Sequence, residues 1–437
     1  MNMNEGTHAM NRQAPPVPLK KGPLDGIMVL DFSRVLAGPY CTMVLADLGA
    51  RVIKIEKLST GDDTRAFGPF VEHDGASESA YFMCFNRGKE SIALDLKTPR
   101  DRELLERLLD EADVVVENFR PGVMDRLGYG AERLKQTHPH IVYASISGFG
   151  HTGPFSDLPG YDRVVQAMGG VMSLTGWPDA PPARVGTSFG DLGAALFAAI
   201  GITSALFKRS KDAQGSRIDI GMLDCQAALM ETALARFDVE GKVPTRTGDS
   251  HPSLAPFETF AAIDGRFVIA AGNDQLFMLM ADALGAPTLA LDPRFISNDL
   301  RCRNRPTMAA AIEAVTGTRP MQHWIDRLND AGVPCAPINT IDKLFDHPQL
   351  AARQMIIKVK GQGPREVRTA GNPIRMSGFA ESDPNQAIAA PALNQHREVL
   401  LAEFMATSGA YEAAAPTPSD QPVADSDALE QAQRLAA

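Results

Sequence analysis

The sequence predicts an α/β protein: a large domain on a Rossmann-like, doubly wound parallel sheet, plus a smaller α+β domain. Two observations carry this. Between Ile27 and Gly150, short β-branched runs alternate with segments of helical periodicity, the pattern of parallel strands joined by crossover helices. The chain has 437 residues, more than the roughly 250–300 at which a single hydrophobic core stops growing, so a second domain is expected.

The elements follow in order. IMVLDFS (27–33), RVIKIE (51–56), SIALDLK (91–97), DVVVENF (113–119) and IVYASISGFG (141–150) read as strands. YCTMVLADLG (40–49), RDRELLERLLDEA (100–112) and GVMDRLGYGAERLKQTH (122–138) read as helices between them. The helix near residue 100 is clearly punctuated, with Thr98 as N-cap, Pro99 at the first helical position, and Asp101 and Glu103 in the first turn. Long helices are expected from about Leu192 and from about Leu223. The first holds the longest apolar stretch, Leu192 to Phe207, which falls short of the roughly 18 residues of a bilayer span and reads as a buried helix. KVPTRTGDSHPSLAP (242–256) has the composition of a linker, and FETFAAIDGRFVIAAG (257–272) that of a hairpin around Asp264 and Gly265. Helical segments then run to about Gly332, and strand character returns in MIIKVKG (355–361).

These readings divide the chain into a tail at 1–21, a first part of the large domain at 22–225, a helix and linker at 226–256, a small domain at 257–340, a return segment completing the large domain at 341–407, and a second tail at 408–437. The tails are rich in Ala, Pro, Ser, Gln and Asp, too polar to offset the entropy of ordering.

Composition narrows the function. A formal charge of −10 argues against a general nucleic-acid binder, since that affinity needs clustered Lys and Arg. Five scattered cysteines without a C-x-x-C pair suggest neither a disulfide framework nor a thiolate metal site, and fit a reducing cytoplasm. Neither a membrane span nor an export signal is expected.

Gly148, Gly150 and Gly153 spell G-x-G-x-x-G after a strand, but Pro154, Pro159 and Gly160 crowd the stretch where a phosphate-capping helix would start, which disfavours a dinucleotide site. The nine histidines form no H-E-x-x-H, and no G-x-S-x-G elbow occurs, so neither a metal centre nor a serine hydrolase is expected. Polar residues remain at the carboxyl ends of the strands, where open α/β sheets bind ligands. They are SRVLAGP (33–39), NFRPG (118–122) and Asp191 after GTSFG. Each has a plainer reading as a turn, a helix entry or, for Asp191, an N-cap.

The same residues resemble the class III CoA-transferases, which include formyl-CoA:oxalate and succinyl-CoA:dicarboxylate transferases and have α-methylacyl-CoA racemases as relatives. The resemblance runs through SRVLAGP, TGDDTR, NRGKESIALDLK, VVENFRPGVMDRLG, SGFGHTGP, PGYDRVVQAMGG, GTSFGDLGAALFAAIGI and GSRIDIGMLD, and resumes in PFETFAAIDGRFVIAAGND and GVPCAPINTIDKLFDHPQ. It implies that Asp191 is the nucleophile, forming first a mixed anhydride and then an aspartyl-CoA thioester. Contacts to the coenzyme are implied for Val35, Leu36, Ala37, Gly38, Pro39, Lys57, Leu94, Lys97, Asn118, Phe119, Arg126 and Met222, and contacts to the acid substrate for Arg34, Tyr161 and Gly190. It further implies an interlocked homodimer, with coenzyme A arriving as acyl-CoA substrate and no tightly bound cofactor. Leu36 and Pro159 stand where the formyl-CoA:oxalate branch has a glutamine and a lysine, which disfavours oxalate, while SRVLAGP, GYD and AGND look more like the succinyl-CoA:dicarboxylate branch, which favours succinyl-CoA and a small dicarboxylic acid such as glutarate. Tyr161 stands where racemases carry histidine. A tyrosine, with a reference pKa near 10, moves protons poorly at neutral pH, so acyl-CoA racemisation is the alternative, along with a non-catalytic CoA-binding protein.

Overall fold

A computed structural model describes residues 21–379, 383 and 386–405. Apart from Lys21, the expected tails lie outside the described residues. The chain divides into two compact units. One comprises residues up to Gly169, Gly186–Met230 and the chain from Ala351 onward; the other comprises Gly170–Val185 and Glu231–Leu350. The sequence reading keeps all of 22–225 in the large domain and resumes it at 341. In the fold, residues 176–180 are instead stitched to 246–248, with the Arg246 guanidinium donating to the carbonyls of Trp177, Pro178 and Ala180. Local periodicity does not register a tether of that span.

The larger unit opens with β1 (Met28–Asp31), α1 (Ala37–Asp47), β2 (Arg51–Glu56), β3 (Phe70–His73), β4 (Ala76–Ser79) and α2 (Ala80–Asn86). Next come β5 (Glu90–Ala93), α3 (Pro99–Glu111), β6 (Val114–Glu117), α4 (Val123–Leu127), α5 (Ala131–Thr137), β7 (Val142–Ser147) and α6 (Asp162–Met168). After α7 (Val171–Leu174), which belongs to the smaller unit, come α8 (Phe189–Asp212), β8 (Arg217–Gly221) and α9 (Met222–Ala228). The expected α3 cap forms, with the Thr98 hydroxyl accepting from the amide of Asp101. Two helices and a turn replace the single helix expected over 122–138, because Gly128 at φ +86° ends α4. RIDIG, not read as a strand from its sequence, forms β8.

Six strands make one parallel sheet in the order β5-β2-β1-β6-β7-β8. The chain therefore winds outward from β1 in one direction and then, from β6, in the other. This leaves the crevice of a doubly wound sheet between the carboxyl ends of β1 and β6. Val29, Val114, Ala144 and Ile146 face α1 and α8 in one core; Leu30, Ile53, Val115 and Tyr143 lie with α3 residues Leu104 and Leu108 in the other.

Among the described residues α8 is the one helix long and apolar enough to cross a bilayer. It is half-buried rather than buried: Ala194, Ala198 and Ile202 enter the sheet core, while Leu196, Ile200 and Phe207 are exposed.

The smaller unit contains α10 (Ala233–Glu240), β9 (Phe257–Ala262), β10 (Gly265–Ala270), α11 (Asp274–Ala283), α12 (Thr288–Leu291), α13 (Asn298–Arg303), α14 (Arg305–Thr316), α15 (Met321–Asp330), β11 (Cys335–Pro337) and α16 (Ile341–Leu344). The expected hairpin is present as β9–β10, and β11 completes an antiparallel sheet around Phe260, Phe267, Phe277 and Trp324.

After α17 (Pro348–Ala352), the returning chain adds β12 (Ile356–Lys360), β13 (Glu366–Ala370), β14 (Ile388–Ala389) and α18 (Arg397–Met405) to the larger unit. Residues 394–397 cover the outer edge of β5. There the amides of Ser91 and Ala93 donate to His396 Nδ1 at 3.0 Å and Asn394 Oδ1 at 2.8 Å, and Arg397 donates to the Ala93 carbonyl at 2.8 Å.

Candidate active site

The SRVLAGP loop leaves β1 over a wholly buried carboxylate. Asp31 accepts from the Ser33 amide at 2.9 Å, the Ser33 hydroxyl, Thr42 Oγ1 at 2.7 Å and Lys89 Nζ at 3.0 Å. Burial alone would raise its pKa, but Lys89 and Lys54 hold it well below the usual carboxylate range. Lys89 also donates to the Pro39 carbonyl at 3.0 Å and to Asn86 Oδ1 at 2.8 Å, and burial pulls its own pKa down to about 8. Lys54 donates to the Ser33 carbonyl at 2.8 Å and pairs with Asp62 Oδ2 at 2.9 Å. Two buried lysines thus fasten both ends of the loop.

The middle of the loop is held just as firmly. Val35 has φ +66°, a strained left-handed conformation for a β-branched residue, and its amide donates to Asp62 Oδ1 at 3.2 Å. Asn118 grips the backbone of Arg34 twice, accepting from its amide at 2.8 Å and donating to its carbonyl at 2.7 Å. Gly38 is required by packing, since an added Cβ would lie 2.1 Å from Ser33 Cβ.

Asp191 is the third residue of α8, behind Ser188 at the N-cap position, so it is not itself the N-cap. A free aspartate has a reference pKa of about 3.9, and a helix N-terminus favours its charge further. Burial prevails instead, and with nearby Asp162 it pushes the Asp191 pKa up to about 7. Asp162 accepts from the Gly190 amide at 2.8 Å and from Gln166 Nε2 at 2.7 Å, which locks the first turn of α8. The amide of Gly190 is thereby committed and cannot serve an oxyanion. A Cβ on Gly190 would meet Gln226 Nε2 at 2.9 Å and Asp162 Oδ1 at 3.2 Å, so this glycine admits close packing behind the helix end rather than room for substrate. Tyr81 on α2 lies close enough that burial, and after it the charge of Asp191, push its phenol up to about 12. The phenol therefore stays protonated at neutral pH.

Two cavities open at this end of the sheet. One, of about 740 Å³, is lined by Arg34, Val35, Leu36, Ala37, Asn118, Phe119, Tyr161, Asp191 and Met222, together with Arg120 and Ser147. The other, of about 650 Å³, is mainly apolar and is lined by Arg34, Lys57, Leu94 and Phe119. Most residues singled out in the sequence therefore converge. Gly38 and Pro39 are buried beneath the loop, and Lys97 and Arg126 are exposed outside both linings. Asn118 spends its side-chain amide on Arg34 and acts on the loop. After Gly150 the chain continues in turns, with no helix before α6, so the glycine triplet does not cap a phosphate-binding helix.

Tyr81, Asp162, Arg120 and Ser147 were not singled out from the sequence. Asp162 and Arg120 lie within the quoted motifs GYD and NFRPG, but Tyr81, in SESAYFMCFN, carries no local signal.

Residues 24–397 match the family described as CoA-transferase family III. The chain is similar to the acetyl-CoA:oxalate CoA-transferase of Acetobacter aceti, 46% identical over 91% of this chain and 99% of that one. It is also similar to the succinyl-CoA:mesaconate CoA-transferase of Haloarcula hispanica, 41% identical over 87% of this chain and 96% of that one. Among solved structures, a CaiB/BaiF family protein from Brucella suis superposes with a TM-score of 0.77 at 42% identity, covering 88% of this chain and 99% of that one.

Proposed function

The chain belongs to CoA-transferase family III, and on that premise we propose that it moves coenzyme A from succinyl-CoA to a small dicarboxylic acid through an anhydride on Asp191. The observation that carries this reading is a half-buried carboxylate at the first turn of α8, opening into the cavity that the strained 33–39 loop also lines.

The ionised Asp191 attacks the thioester carbonyl of the donor, and the tetrahedral intermediate expels CoA thiolate, leaving a mixed anhydride. The thiolate then attacks the aspartyl carbonyl, releasing the donor acid and forming an aspartyl-CoA thioester. The acceptor carboxylate attacks that thioester and frees the thiolate, which takes the acceptor's acyl group from the second anhydride and restores Asp191. A carboxylate whose pKa lies near 7 is more basic than a free one, hence a stronger nucleophile, while about half remains ionised at neutral pH. Tyr81, whose phenol stays protonated and feels the charge of Asp191, is the neutral donor assigned to the oxyanions.

The coenzyme follows the loop, with its pantetheine arm in the larger cavity and its nucleotide in the apolar one beside Leu94, Phe119 and Lys57. Lys97 and Arg126, exposed around it, attract the phosphates. The enzyme acts as an interlocked homodimer in the cytoplasm. The exposed stripe of Leu196, Ile200 and Phe207 on α8 supports self-association, and sedimentation equilibrium showing only monomer would refute it. For the reaction, the protein is incubated with succinyl-CoA and a panel of acids, and new acyl-CoAs are read by mass spectrometry. Turnover by Asp191→Ala at the wild-type rate, or no adduct at Asp191 after hydroxylamine trapping, would remove the mechanism.

A further inference from the structure

Two cations line the cavity that holds Asp191, and they differ. Arg34 is committed to Asp63, with its Nη1 2.5 Å from the carboxylate. Arg120 lines the same cavity, yet among the described residues its guanidinium makes no ion pair and no hydrogen bond. An unpaired, partly buried guanidinium at a cavity wall awaits an anion, because its fork geometry matches a carboxylate. A second, independent feature lies beside it. Ser147, at the end of β7, lines the same cavity, and its hydroxyl is buried without a partner. The β6–β7 register pairs Glu117 with Ser145, so the chain just beyond both strands brings residue 147 alongside the 119–120 segment. The charge of Arg120 is not among the influences on Asp191, whose ionisation follows burial and Asp162, so this cation stands apart from the nucleophile.

We propose that Arg120 and Ser147 form an anchor for the distal carboxylate of a dicarboxylic substrate, the carboxylate that takes no part in the exchange. The inference rests on the transferase reading above. It assigns Arg120 a role in substrate selection and leaves the covalent steps to Asp191. Donor and acceptor acids form their anhydrides with the same aspartate in turn, so one anchor serves both. A diacid fills it, and a monocarboxylic acid leaves it empty.

The test uses the full-length protein with acetyl-CoA as donor and succinate, glutarate, acetate and propionate as acceptors. Arg120→Gln raises KM for succinate and glutarate by about 10- to 100-fold and leaves acetate and propionate within about twofold. Ser147→Ala shifts the same two acids in the same direction by a smaller factor, about 3- to 10-fold. Neither change orphans a buried partner, and thermal melting confirms that each variant is folded. Equal losses on mono- and dicarboxylic acids overturn the anchor. A raised KM for acetyl-CoA that vanishes with S-acetylpantetheine overturns it too, because Arg120 would then hold the coenzyme phosphates. Wild-type protein that transfers to neither class of acid from acetyl-CoA or from succinyl-CoA sinks the transferase reading itself, whereas selective wild-type transfer with an unselective Arg120→Gln sinks the anchor alone.

Discussion

Replacing Asp191 with asparagine abolishes transfer but stabilises the protein above neutral pH. The folded carboxyl titrates at about 7 against a usual 3.8 because burial penalises its charge, with Asp162 adding to the effect. A carboxylate raised in this way costs nothing below the unfolded value, where both states are protonated. Its cost grows as pH rises from the unfolded towards the folded value, and is complete above the latter. The full interval corresponds to about 4 kcal/mol at 1.36 kcal/mol per pKa unit. Because Asp191 also faces the open cavity, solvent screens part of this, and about 2 kcal/mol is the expected gain. Urea unfolding of wild type and Asp191→Asn at pH 4.5 and 8.5 reads it directly. The variant's advantage is partial at the lower pH, which already lies above the unfolded value, and reaches its full size at the higher. Equal stability at both values, or a variant less stable at pH 8.5, would refute burial as the source of the perturbed carboxylate.

In the wild type the same titration appears in catalysis, with kcat/KM rising through an inflection near pH 7, and a profile flat from pH 5.5 to 8.5 would contradict it. Tyr81→Phe lowers kcat by about 10- to 100-fold with KM little changed, since it removes one donor to the oxyanion, and steady-state kinetics against succinyl-CoA checks this. Lys89→Met leaves Asp31 buried with a principal counter-charge missing and destabilises the fold by about 3–5 kcal/mol, measured by denaturant unfolding. Gly38→Ala forces the loop away from Ser33 and costs about 1–3 kcal/mol along with a raised KM for acyl-CoA, readable by melting and kinetics on the same sample.

Much of the scaffold was legible because its signals are local. Short β-branched apolar runs mark β1, β2, β6 and β7, and Thr98 with Pro99 marks the start of α3. Residues 122–138 misled because a helical apolar pattern continues across Gly128, whose left-handed backbone breaks the helix. β8 escaped because RIDIG alternates with charge, as an edge strand does. Around the cavity, the 33–39 loop and the Asn118 segment stand out in the sequence as polar stretches at strand ends, whereas Asp191 is singled out by the family resemblance, its spacing alone reading as an N-cap. The elevated pKa of Asp191 could not be read there, because it arises from burial and from Asp162, which three-dimensional packing brings close. Tyr81 became visible only once folding brought its phenol within the electrostatic reach of Asp191. Arg120 was present within NFRPG, but a linear sequence does not display that its guanidinium makes no ion pair or hydrogen bond among the described residues.

The cover that residues 394–397 lay over β5 has a consequence for biosynthesis. The smaller unit draws nearly all of its chain from one continuous stretch, 231–350, and can settle while translation continues. The six-stranded sheet keeps an open flank until residues some three hundred positions downstream of that strand leave the ribosome. A polypeptide halted near residue 390 would carry all the groups that line the Asp191 cavity and still present an unguarded row of amides and carbonyls to neighbouring nascent chains, inviting aggregation.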